Sequence, residues 1–128
     1  MATSYSIADG SDNEAGYAAF DPQPAMPEGI HYLVYRKAAS GLVYPDGVQV
    51  AILEWRNITA TEYAALLAAA GLTSADYNAV TIALPDEDYS TFSDYNATIY
   101  HYRSPEYRTF SGHLYRRVIM RVEITGTT

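Results

Sequence analysis

The stretch over residues 48–71 limits the fold more than any other part of this chain. Val48, Val50 and Ile52 alternate with Gln49, Ala51 and Leu53, so both faces of the run are fairly apolar. That pattern marks a central strand, and it leads to Trp55, the only tryptophan. Thr59-Ala60-Thr61-Glu62 follows at capping-box spacing, with the Glu62 carboxylate able to reach back to the Thr59 amide. Tyr63, Leu66, Leu67 and Ala70 then recur at helical spacing, and Gly71 stands where helices commonly end. A helix of about three turns over residues 59–70, joined directly to a strand, is predicted. Its alanines let it lie close against a sheet.

β-type segments surround this unit. Residues 31–36 form a strand candidate, and Tyr44-Pro45-Asp46-Gly47 reads as a tight turn. Residues 79–84 place Val80, Ile82 and Leu84 on one face, and residues 94–103 form a further strand. Pro85-Asp86-Glu87-Asp88 is an acidic loop, residues 73–77 a short helical turn, and residues 104–112 a loop. In the last segment Leu114, Val118, Met120, Val122 and Ile124 share one parity, while Tyr115, Arg117, Arg121 and Glu123 share the other. This is a half-buried strand with a wet face; Arg116 falls on the apolar parity near its start and must sit at the rim or find a partner. The order of elements favours antiparallel pairing. The expected fold is α+β, mainly β: a small antiparallel β-sandwich-like domain over residues 30–128 with one helix. Residues 1–29, rich in Ala, Ser, Asp and Gly with Pro22, Pro24 and Pro27 close together, read instead as an extended N-terminal arm outside the core.

At 128 residues the chain makes one domain able to bury a core without covalent staples. It has no Cys, which excludes disulfides and thiolate metal sites. No apolar run approaches the ~20 residues of a membrane span, and the N-terminus lacks a secretory pattern. No membrane partner and no secretion are expected, with synthesis in the cytoplasm. The net charge of −7 argues against nucleic acid as a partner, since that affinity comes largely from neutralising phosphates. Tyrosine is the compositional outlier, at 13 residues. Tyr suits both β-strands and interfaces.

The search for chemistry finds none. Asp86, Glu87 and Asp88 with Asp94 lack the glycine and terminal glutamate of a calcium loop, and whether they take a cation stays open. His31, His101 and His113 have no close-spaced partners. Ser111-Gly112-His113 has neither a nucleophile elbow nor an oriented acid, and no glycine-rich phosphate loop opens the helix. No catalytic residue, metal site or cofactor is predicted. Arg103, Arg108, Arg116, Arg117 and Arg121 form the basic concentration, suited to an acidic neighbour. Asp9, Asp12, Glu14 and Asp21 are candidate counter-charges, within the chain or across copies. Candidate partner-binding residues are Tyr5, Tyr17 and Phe20 on the arm, and Tyr100, Tyr102, Arg117 and Arg121 on exposed strand faces.

Trp55, Ile58, Thr59, Glu62, Tyr63 and Leu66, followed by the β segments at 95–102 and 114–124, form a block over about residues 48–124. It resembles the strand–helix–strand centre of tail-associated structural proteins (tube, distal-tail or baseplate type) of tailed bacteriophages. The resemblance implies a non-enzymatic virion subunit, assembling with copies of itself and with other virion structural proteins. A capsid cement or head–tail connector protein is an alternative within the virion. From another class, a small cytoplasmic ligand-binding domain with a Tyr-lined pocket is the rival.

Overall fold

A computed structural model describes residues 5–24, 31–37, 39–41, 43–85, 91–102 and 108–127, with the side chains of these except 31–37, 43–48 and 127. Along the chain come strands β1 (Ser6–Asp9), β2 (Ala18–Ala19), β3 (His31–Lys37) and β4 (Val43–Thr59), then helix α1 (Ala60–Ala70). Strands β5 (Tyr77–Pro85), β6 (Phe92–Tyr100), β7 (Arg108–Ser111) and β8 (Leu114–Thr127) follow. They join one curled sheet in the order β2-β1-β5-β6-β8-β4-β3, with β7 also pairing β8. Every pairing is antiparallel. The fold is mainly β with a single α-helix among the described residues, beside a 3-10 turn at Glu14–Gly16.

The apolar parities of β4 and β8 meet across the sheet. Ala51 lies opposite Val122, Leu53 opposite Met120 and Trp55 opposite Val118, and all six are buried. Val80, Ile82 and Leu84 of β5, with Ala97 and Ile99 of β6, complete the floor of one core cluster. Helix α1 lays Tyr63, Leu66, Leu67 and Ala70 into that cluster. Its N-terminus is closed by the predicted capping box. The Glu62 amide donates to Thr59 Oγ1 (3.2 Å), and the Thr59 amide donates to Glu62 Oε1 (2.9 Å). At the other end Gly71 takes φ 72, and the Leu72 amide donates back to the Leu67 carbonyl (2.8 Å). Asn78 Nδ2 donates to the Ala70 carbonyl (2.9 Å), so a Cβ at Gly71 would collide with that amide as well as strain the backbone.

The N-terminal segment is not the arm expected from its composition. β1 pairs with β5 along its length, and Tyr5, Ile7 and Phe20 belong to the core. The chain then crosses the outer face of β5 and β6. Thr81 Oγ1 donates to the Gly10 carbonyl (2.8 Å) and accepts from the Asn13 amide (2.9 Å). Asp12 and Asn96 exchange two hydrogen bonds, at 2.8 and 2.9 Å. Thr81 and Ala83 are therefore buried although they face away from Val80 and Ile82. Past β2, Gln23 clasps both the amide and the carbonyl of Tyr5, and Trp55 Nε1 donates to the Pro22 carbonyl (2.7 Å). Pro22 and Pro24 lie in this strap, outside the strands, where a missing N–H does no harm. Residues 1–4 and 25–30 lie outside the described part.

Other differences are local. Tyr44-Pro45-Asp46-Gly47 is no turn but part of β4, opposite β3. β4 carries an extra residue at Gly47–Val48, and this part of the strand has β3 as its one described neighbour. Such a half-paired position tolerates a proline. The chain reverses instead around Gly41, at φ 91. Residues 73–77 form no helix, and the expected loop at 104–112 contains β7. β7 reaches β8 through a two-residue turn, Gly112 (φ 60) and His113 (φ 69), whose twist matches a hairpin. β6 ends at Tyr100 rather than at 103. Arg116 is exposed, at a bulge where β8 has one residue more than β7. Asn57 stands opposite it at φ 55, between the pairs Arg56–Arg117 and Ile58–Tyr115. This shared irregularity turns Ile58 and Tyr115 toward the core despite their parity.

Because residues 5–24 fill sheet and core, removal of the first 24 residues is predicted to abolish the fold. Circular dichroism and urea titration of a chain starting at residue 25 would show no cooperative transition. A truncated chain with a full transition would return these residues to the status of an arm.

Candidate interaction surface

Alternation in β5, β6, β8 and β4 sends one set of side chains to the core and the other to the outer face. The register then joins residues far apart in sequence. Tyr77 lies opposite Tyr100, Tyr100 opposite Arg121, and Arg121 opposite Ile52, making one row across four strands. Tyr77 is 65% exposed, and Tyr102, just past the end of β6, is 42% exposed. The Tyr100 ring lies 6.1 Å from that of Tyr77 and 6.2 Å from that of Tyr102, nearly parallel to the latter. Arg121 Nη2 donates to Glu123 Oε1 (3.0 Å). Partial desolvation and a hydrogen bond to Glu123, with that carboxylate's charge, raise the Tyr100 phenol above its ordinary pKa.

The row of Arg117 and Arg56 lies toward the start of β8. These two like charges stand directly opposite each other, an arrangement that is unfavourable alone. Glu54 resolves it: Arg117 Nε reaches Glu54 Oε1 at 2.6 Å, and Arg56 Nε reaches Oε2 at 3.3 Å. The carboxylate is only 8% exposed, whereas both arginines keep half their side-chain surface in solvent. Two cations thus share one anion, leaving a positive excess at that end of the face.

The candidates from sequence divide accordingly. Tyr100, Tyr102, Arg117 and Arg121 lie together on the outer side. Tyr5 and Phe20 do not: both are buried, Tyr5 edge-on to Phe92 (5.5 Å) and Phe20 edge-on to Trp55 (5.2 Å). Their apolar surface is already covered by their own domain, so neither is offered to a partner. Tyr17 is half-buried, its hydroxyl donating to Asp94 Oδ1 (2.8 Å). Tyr77, Ile52, Arg56 and Glu54 were missed. For Tyr77 the signal was present, since it shares parity with Ala79, Thr81 and Ala83.

The histidines serve structure where they are described. His101 is fully buried, its Nε2 2.6 Å from the Tyr63 hydroxyl and its amide donating to the Asp76 carbonyl (2.8 Å). Tyr63 in turn stacks on Tyr115 (4.1 Å), which meets Phe110 (4.7 Å). His113 occupies the exposed hairpin turn. The His31 side chain, Arg103 and the Asp86–Asp88 loop lie outside the described residues. Among the described residues no group of three or more His, Cys, Asp or Glu is placed to hold a metal ion. No helix there is long and apolar enough to cross a membrane. Comparison with family models, with curated proteins and with solved structures finds no match.

Burial, the hydrogen bond to Asp94, and the charges of Asp94 and Glu14 push the Tyr17 phenol well up. Folded chain then holds this proton at a pH where unfolded chain has lost it. Its stabilisation is complete below the ordinary phenol pKa of about 10 and is lost as pH climbs above it. Urea titrations above pH ~10 should show stability falling with pH, more shallowly in Tyr17→Phe. Equal slopes in the two proteins would contradict the assignment.

Proposed function

We propose that this chain is a non-enzymatic structural subunit of a tailed-phage virion, in the tail or baseplate, acting by protein–protein assembly. The observation that carries the reading is the row of Tyr77, Tyr100 and Arg121, flanked by Tyr102 and Arg117, on an outer sheet face. Tyr and Arg are enriched where partners bury surface, and Tyr offers broad amphipathic contact at small entropic cost. The resemblance of the Trp55–Leu66 block to tail-associated structural proteins supports placing that assembly in a tail. Copies of this chain and other virion structural proteins are the partners. With Tyr5 and Phe20 inside the domain, the sheet face takes the contact role that an arm would have had.

Sedimentation velocity of the full-length chain, from low micromolar to sub-millimolar concentration, tests this reading. Reversible association is predicted, weakened roughly tenfold or more by Tyr100→Ser with Tyr102→Ser. The double variant should keep the parent's thermal transition, since both rings lie on the outer side. A strict monomer at every concentration would contradict the proposal.

A further inference from the structure

The same face carries opposite charge at its two ends. At one end Arg56 and Arg117 share Glu54, and the exposed Arg116 stands beside them. At the other, Asp12 is fixed to Asn96 by two hydrogen bonds, Asp94 holds Tyr17, and Glu14 lies close enough to act on the Tyr17 phenol. None of Asp12, Glu14 and Asp94 has an ion pair among the described residues. The sheet register gives their spacing. Arg117 pairs with Arg56, and Gly126 pairs with Asn96, so the two ends lie nine residues apart on β8 (126 − 117). At strand rise that is roughly 30 Å, too far for the charges to meet within one chain. Arg121, in the tyrosine row, lies four residues from the first end and five from the second.

We infer that two copies of this chain dock through these faces with their strands roughly antiparallel across the contact. The inference rests on the assembly reading and names its first partner, a second copy. The basic end lies over β8 and β4 and the acidic end over β6 and β5. Turning one copy end for end about an axis somewhat oblique to the Tyr77–Tyr100–Arg121–Ile52 row therefore lays each basic end over the other's acidic end, the strands crossing at a shallow angle. Both contacts form at once because both ends belong to one face. The interaction therefore closes at two copies instead of propagating, as an isologous contact must. The loop that crosses β5 and β6 stands out from the sheet at the acidic end and meets the basic end, which no described loop crosses. In the middle Tyr77, Tyr100 and Tyr102 supply the apolar contact, and each Arg121 arrives neutralised by its own Glu123. Four strands over this length offer roughly 600 Å² a side, below the usual 800 Å² of stable complexes. The dimer is accordingly weak, and it loosens with added salt as its exposed charges are screened.

A charge-exchange experiment on the full-length chain tests this. One variant reverses the basic end (Arg56→Glu with Arg117→Glu), and a second reverses the acidic end (Asp12→Lys with Glu14→Lys). Each alone presents like charges at both contacts and is predicted to dimerise at least about tenfold more weakly than the parent in sedimentation velocity. Mixed, they are complementary at both contacts, and a one-to-one heterodimer should return. If new carboxylates beside Glu54 unfold the first variant, adding Glu54→Gln relieves them. A mixture that stays monomeric overturns the inference, as does a parent that grows beyond two copies. Association that ignores both charge reversals but is lost in Tyr100→Ser with Tyr102→Ser overturns the two-fold docking and leaves the assembly reading standing. A parent that never associates overturns both.

Discussion

The buried indole of Trp55 sets the terms for the rest of the structure. Its ring lies on the core side of the central strand, and its N–H, withdrawn from water there, needs an acceptor. The Pro22 carbonyl meets that need at 2.7 Å, while Phe20 packs edge-on against the ring. Those two contacts draw the strap after β2 from one side of the sheet to the other. Gln23 ties the strap to Tyr5, and Tyr5 leads directly into β1 on the edge of β5. The N-terminal segment therefore acts as the closing part of the core, and its acidic loop is fixed on the outer face as a consequence.

What could be read from the sequence followed the range of the interactions. Capping of α1 is local, within residues 59–62, and the alternation of β8 needs no knowledge of its partners. The cap is found where the pattern placed it, and so is the alternation of β8 from Arg117 onward, past the bulge that turns Tyr115 inward and Arg116 outward. β1 could not be seen this way. Four residues, Ser6 to Asp9, owe their strand conformation to pairing with Val80–Ala83, and their neighbours in sequence look like linker. Tyr-Pro-Asp-Gly at 44–47 failed for the opposite reason. Its local chemistry favours a turn, but pairing with β3 over both sides of a bulge holds it extended. The interaction face was half legible, since Arg117 and Arg121 share one wet parity in a single strand. Joining them to Tyr77, Arg56 and Ile52 requires the register of four strands, which no single segment encodes.

Exposed charge and aromatic surface on this fold are arranged by the same constraint. The loop held over Thr81 and Asn96 puts Asp12 and Glu14 at one end of the outer face, while the Arg56–Arg117 opposition puts cations at the other. Glu54 keeps that opposition tolerable within one chain without cancelling it. A face with ordered charge separation and tyrosines between the ends suits recognition of a surface with the reverse order. The nearest such surface is the same face turned round.

The claim on which this depends is that residues 5–24 are part of the sheet and core. Native-state hydrogen exchange on the full-length chain tests it directly. The account predicts that the hydrogen-bonded amides of β1 exchange only with the global unfolding seen for the β5 amides they pair beside. Free exchange in β1 while β5 stays protected would contradict it, and would leave the acidic loop unanchored and the charge order of the outer face undefined.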